Sequence, residues 1–226
     1  MGLSSNILWH QTTLDGLKGI LNEQGFFYSY SLESILSRES KNNLNVAFPM
    51  VSLCDLPFSE LNDYIKKYGG YLIGMKRTWG KSNGLAPVWY CDSESTILNA
   101  IIDRYNQIEV NIKNGTISRE IFLYTLSHIK NYEGQLIAHD FNKYRFYDER
   151  EFRSVPRYKE LKKLHPTIQP YLSEKDYQDY KRKHKNTLIK TLKLSFEWED
   201  IRYIVVKRKQ DIKTISELLQ NLAPDI

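Results

Sequence analysis

Only two cysteines, Cys54 and Cys91, occur in 226 residues. That count excludes a disulfide framework and a cysteine-based zinc cluster, and it suits a reducing cytoplasm. The five histidines, at 10, 128, 139, 165 and 184, show no paired ligand spacing on one helix or turn. No metal site is expected from them. Neither GxxxxGKS/T nor GxGxxG occurs, which removes P-loop nucleotide hydrolysis. No apolar run approaches the length of a membrane span, so no membrane partner is expected. The start, "MGLSSNILWHQTT", lacks a basic region followed by an apolar core and does not read as a signal peptide. Internal repeats and low-complexity segments are absent as well.

What is present is a folded composition: 41% apolar and 13% aromatic residues are too many for a disordered chain. The length suits one ample domain over 1–226, with a helical insertion near 93–131 and a basic helical segment near 157–193. Net charge is +5, but unevenly placed: residues 157–193 hold eleven Lys or Arg against four Asp or Glu.

Apolar spacing predicts a helix in "TTLDGLKGILNEQG", capped by Thr12 or Thr13 and stopped by Gly25. "SLESILSRES" is a second, shorter helix candidate. "NVAFPMVSLCDLP" reads as a buried strand, with Pro49 pointing to an edge or irregular position. "FSELNDYIKKYGG" predicts a helix capped by Ser59. "YLIGMK" and "APVWYC" read as strands around the turn-rich "RTWGKSNGL". Residues 93–131 carry two helical stretches broken at "NG". A basic helix is expected from about Ser173 to Lys190, and the end reads strand, strand, helix. Helices in the middle flanked by strands predict an α+β fold with a mixed, mostly antiparallel sheet.

The segment "FNKYRFYDEREFRSV", 141–155, alternates like a strand, with Glu149, Glu151 and Arg153 on one face beside Lys143 and Arg145. Two like charges so placed need compensation. Lys143, Arg145 and Arg153 would supply it as a solvated ion-pair ladder. Equally, a carboxylate between basic groups can hold a ribose hydroxyl or stabilise positive charge at a sugar carbon. His10, two residues before Thr12, can donate to a ligand hydroxyl or serve its own helix start. "YGGY" sets Tyr68 and Tyr71 around a glycine pair, where backbone approaches a flat ligand closely; a helix end before a buried strand reads the same way. Cys54 and Cys91 sit in apolar runs and read as inert.

"LWHQTTLDGLKGILNEQGFFYSYSLES", "FPMVSLCDLPFSE", "YGGYLIGMKRTWGKSNGLAPVWY" and "YDEREFR" together resemble the AbiGi-type abortive-infection proteins of bacteria. That family is usually described as the antitoxin half of an anti-phage toxin–antitoxin pair. The resemblance covers about 1–155, and "WEDIRYIVVK" more loosely. Where family members commonly read His-Phe-Thr, this chain has His10-Gln11-Thr12. A more distant likeness is to ADP-ribosyltransferases, which carry an early histidine or arginine, aromatics beside NAD and a late catalytic glutamate. That likeness implies NAD as cofactor, held by His10, Thr12, Tyr68, Tyr71 and Arg153. Glu151 would bind the nicotinamide ribose and stabilise the transition state, and Glu149 would orient the acceptor.

Two readings stand side by side. In one, the chain transfers ADP-ribose from NAD, with His10, Glu149 and Glu151 at a shared cleft. In the other, it is a non-catalytic antitoxin that binds a cognate toxin or a nucleic acid. The basic stretch, including Lys181, Arg182, Lys183 and Lys185, would then touch phosphates or an acidic protein surface; no helix-turn-helix pattern supports sequence-specific DNA reading.

Overall fold

In the computed structural model, which describes residues 6–36, 44–110, 118–136, 141–164, 168–183 and 192–223, one long strand organises the rest. The chain opens with β1 (Ile7–Thr12), α1 (Leu14–Glu23), β2 (Gly25–Phe27), β3 (Ser29–Ile35) and β4 (Leu44–Cys54). A 3-10 turn over Phe58–Glu60 leads into α2 (Leu61–Tyr68), β5 (Tyr71–Lys76), α3 (Arg77–Ser82), β6 (Ala86–Pro87) and β7 (Trp89–Cys91). Next come α4 (Thr96–Val110), α5 (Ser118–Ser127), β8 (Ile129–Asn131), β9 (Glu133–Leu136) and β10 (Phe141–Arg145). A second 3-10 turn, Phe146–Glu149, precedes β11 (Glu151–Ser154). The chain closes through α6 (Tyr158–Leu164), β12 (Leu172–Ser173), α7 (Glu174–Lys183), β13 (Lys193–Ser195), β14 (Ile201–Val205) and α8 (Lys209–Leu222).

The principal sheet runs β14-β5-β1-β4-β11-β6, with β3 and β12 also paired to β4, and every one of these pairings is antiparallel. The fold is α+β, as expected. A parallel contact occurs between the short strands β7 and β8. β4 joins two halves of the sheet: Leu44–Met50 face β3, whereas Val51–Cys54 face β11. Pro49 lies in the interior of this strand and not at an edge, close to the point where β4 changes partners. There a missing N–H interrupts the ladder least.

Both faces of the sheet are covered. On one face Leu8, Leu53, Ile73 and Met75 pack with Leu17 and Leu21 of α1 and Ile215 of α8. On the other, Ile7, Trp9, Cys54 and Leu72 pack under Leu61 of α2. A third cluster joins Val46, Phe48 and Met50 of β4 to Leu98, Ile102 and Leu126 of the helical region. α1 follows the predicted stripe; Leu17 and Leu21 are fully buried, worth about 1.5–3 kcal/mol each. Its cap is Thr13, whose Oγ1 accepts from Gly16 N–H at 3.1 Å, and its stop is Gln24 in the left-handed region at φ 44°.

Several local expectations differ from what forms. "SLESI" belongs to strand β3, because a seven-residue ladder with β4 satisfies its backbone and outweighs weak helical propensity; residues 37–40 of the expected helix lie outside the described residues. "RTWGKS" is helix α3, anchored by buried Trp79, whose ring N–H donates to Ser195 O at 2.9 Å. "APVWYC" divides into β6, beside β11, and β7, beside β8. Ser59 does not cap α2, whose N-cap is Glu60 with no side-chain hydrogen bond. The described part of α7 ends at Lys183, so the predicted extension to Lys190 lies outside the described residues.

Candidate functional site: a buried carboxylate pair

Residues 141–155 are not one strand. β10 ends at Arg145, a 3-10 turn carries Phe146–Glu149, and Arg150 adopts φ 45° before β11 starts. A left-handed conformation at a residue with a side chain is uncommon. Here it is held by two backbone bonds, Arg150 N–H to Tyr147 O and Asp55 N–H to Arg150 O, both 3.1 Å. The reversal brings Glu149 and Glu151 together from different elements. Of Lys143, Arg145 and Arg153, expected to neutralise them, the first two instead pair with Glu133 and Asp148, and Arg153 alone reaches the carboxylates.

The compensating cations are Lys130 and Arg153. Lys130 Nζ lies 3.0 Å from Glu149 Oε2 and 2.9 Å from Glu151 Oε2. Arg153, with no exposed surface, donates from Nε to Glu151 Oε1 at 2.7 Å and from Nη2 to Oε2 at 3.0 Å. Its remaining donors reach Ser127 O at 2.8 Å and Glu33 Oε1 at 2.9 Å. The Tyr68 hydroxyl donates to Glu149 Oε1, and Glu151 N–H donates to Tyr90 Oη at 2.8 Å. All four carboxylate oxygens are engaged, and Glu149 and Glu151 are only 7% and 6% exposed.

Electrostatics follow from that enclosure. Burial pushes the Glu151 pKa up, but Arg153 and Lys130 overcome it and hold the carboxyl well below the usual range. Burial likewise opposes the Lys130 charge, yet Glu151, Glu33 and Glu149 raise its pKa above the usual lysine value. Tyr68 is raised by burial and by Glu149, so it remains a neutral donor. Cys54, raised by burial and by the negative charge of Glu149 and Glu151, is a poor nucleophile at neutral pH.

The structure separates His10 from this cluster. Trp9 stands opposite Cys54, and Cys54 opposite Glu151, so these three side chains share a face of the sheet. His10, one residue on, points to the other face. There it meets Phe26 with ring centroids 5.0 Å apart and donates from Nδ1 to Ser52 O at 2.9 Å. Burial lowers its pKa, against the raising effect of that bond. The shared cleft expected between His10 and Glu151 is therefore not formed; buried Leu53 and half-buried Phe152 pack on the His10 side of the sheet. Tyr71 also leaves the site, donating to Asp211 Oδ2 at 2.6 Å beside α8. Thr12 Oγ1 lies against Gly16, in space a methyl group would need. Of the residues expected around NAD, Tyr68 and Arg153 reach the carboxylates.

Lys130 and Glu33 escaped the sequence reading. Lys130 arrives through the parallel pairing of β7 with β8, and Glu33 through β3 in a segment read as helix. Neither pairing has a local signal. In the basic segment, Lys181, Arg182 and Lys183 are exposed on the last turn of α7. Arg182 pairs with Asp179, and the first turn carries Glu174 and Asp176, so the helix is not uniformly basic. Lys185 lies outside the described residues. Both cysteines are free and buried, and among the described residues no helix is long and apolar enough to cross a membrane. Among the same residues no cluster of three His, Cys, Asp or Glu side chains could hold a metal ion.

Residues 24–207 match the family described as putative abortive phage resistance protein AbiGi, antitoxin. A curated relative, the abortive phage resistance protein AbiGi of Lactococcus lactis subsp. cremoris, is 26% identical over 202 residues, covering 80% of each chain. No solved structure matches.

Proposed function

The chain belongs to the AbiGi family of abortive phage resistance proteins, and from that premise we propose that it acts as a non-catalytic antitoxin, a binding protein that restrains a cognate toxin. The observation that carries this reading is the saturation of Glu149 and Glu151. Both oxygens of each carboxylate already accept from Lys130, Arg153 or Tyr68. A transferase that uses a glutamate against a ribose needs at least one oxygen free for the sugar. Here every such oxygen would first have to break a charge-assisted bond below the surface. The imidazole that the transferase reading also requires lies on the other face of the sheet.

The carboxylates make better sense as a clamp. They tie β11 to β8 through Lys130 and to β3 through Arg153 and Glu33, and tie the preceding 3-10 turn to α2 through Tyr68. The clamp thus fixes the helical region against the principal sheet, giving a partner one surface to recognise. If a toxin gene lies beside its own, co-expression of the two proteins tests the proposal. Growth should be restored, and the two chains should co-elute in size-exclusion chromatography. Growth arrest by this chain alone, with protection by the neighbour, would reverse the assignment.

A further inference from the structure

A second feature lies at the end of the sheet where β1 and β14 begin and β5 ends. A cavity of about 710 Å³ opens there, within the range of small-molecule sites. Four cations line it: Lys76, Arg77, Lys81 and Arg202. Among the described residues, no acidic side chain does. Asp55 reaches Arg77 at 2.5 Å, but among the described residues Lys76, Lys81 and Arg202 have no carboxylate within ion-pairing distance. The rest of the wall is mostly apolar and partly aromatic, with Ile7, Leu8, Leu85, Phe152 and Tyr203 beside the polar Asn6 and Thr78.

The backbone directs these charges to one place. Arg77 and Lys81 are four residues apart on α3 and so share a helix face. Arg202 is the additional residue of a β-bulge, since Ile201 stands opposite Met75 and Tyr203 opposite Gly74. A regular strand would send Arg202 and Tyr203 to opposite faces; the bulge lets both line the cavity. Concentrating Lys76, Lys81 and Arg202 beside Arg77 in one concavity is unfavourable unless an anion offsets them. Arg77 stacks over Phe152 at 4.9 Å, which pairs a flat ring with a cation at the wall. On the alternation of β11, Phe152 faces away from Glu151, so the cavity is separate from the carboxylate pair.

We propose that this cavity binds a nucleoside polyphosphate: the cations take the phosphates, and the hydrocarbon and aromatic wall takes the base. The proposal does not depend on the antitoxin reading, and it is tested on the purified chain without any toxin. Isothermal titration would compare ATP, inorganic tripolyphosphate and adenosine. ATP should bind in the micromolar range, and both fragments should bind at least about tenfold more weakly. The double variant Lys81→Ala/Arg202→Ala should also lose about tenfold or more in ATP affinity. Both side chains are exposed and, among the described residues, without ion pairs, so the thermal unfolding of the variant should match that of the wild type. No binding of ATP at about 1 mM would overturn the proposal, as would equal ATP binding by wild type and variant. Tripolyphosphate binding as tight as that of ATP would overturn it too, leaving only a general anion patch.

Discussion

Replacing Lys130 with methionine keeps much of the side chain's volume and removes the cation shared by Glu149 and Glu151. The two Oε2 atoms, at 3.0 and 2.9 Å from one nitrogen, lie within roughly 6 Å of each other. At an effective dielectric constant of about 20, their bare repulsion is on the order of 3 kcal/mol. Removing one partner of a buried pair commonly costs about 3–5 kcal/mol, and the Lys130 side chain is only 17% exposed. Arg153 still serves Glu151, and Tyr68 still serves Glu149, which places the expected loss near the lower bound, about 3 kcal/mol. For a chain of this size that lowers Tm by roughly 10 °C. Adding Glu149→Gln to Lys130→Met removes the charge left uncompensated and keeps an acceptor for Tyr68. The double variant should therefore recover at least about 1.5 kcal/mol of the loss. Urea denaturation of the wild type, both single variants and the double variant gives the cycle. A Lys130→Met loss under about 0.5 kcal/mol, or simple additivity of the two changes, would refute a clamp held by this cation.

Two further outcomes follow from the same packing. Acid should destabilise in two stages: His10, its pKa lowered chiefly by burial, contributes stability that is present above about pH 6.5 and lost as pH falls through its depressed value. Glu151, also depressed, adds a second loss beginning below about pH 4.3. Urea midpoints measured through this range should fall, His10→Gln should flatten the upper stage, and a midpoint that rises on acidification to about pH 5 would contradict the assignment. Gly74→Ala would place a Cβ 2.7 Å from the ring of fully buried Trp9, which stacks on Tyr203. Overpacking there should cost about 1–3 kcal/mol and alter tryptophan fluorescence; unchanged melting would show that the ring can move aside.

The elements with a strong apolar period were legible. α1 shows the stripe and cap its sequence announces, and α4, β5, β14 and α8 lie where spacing places them. What escaped was nonlocal. β3 has no isolated strand signal and exists because β4 pairs with it along seven residues. The turn at Arg150 needs a left-handed residue that is not glycine, which no local pattern marks. The glutamates at 149 and 151 were visible as an anomaly in the charge pattern. Of their partners, Arg153 and Tyr68 were visible, whereas Lys130 and Glu33 were not, because they are delivered by pairings with β7 and β4. The face on which His10 falls depends on register, and a shift of one residue reverses it.

The sharpest test joins folding to function in one variant. Glu151→Gln removes the ionised partner of Arg153, a guanidinium with no exposed surface. The unfolding free energy should fall by about 3 kcal/mol or more, with suppression of the toxin retained at temperatures where the variant is folded. An unchanged unfolding curve with suppression lost would contradict it, and would make Glu151 a working group instead of a structural one.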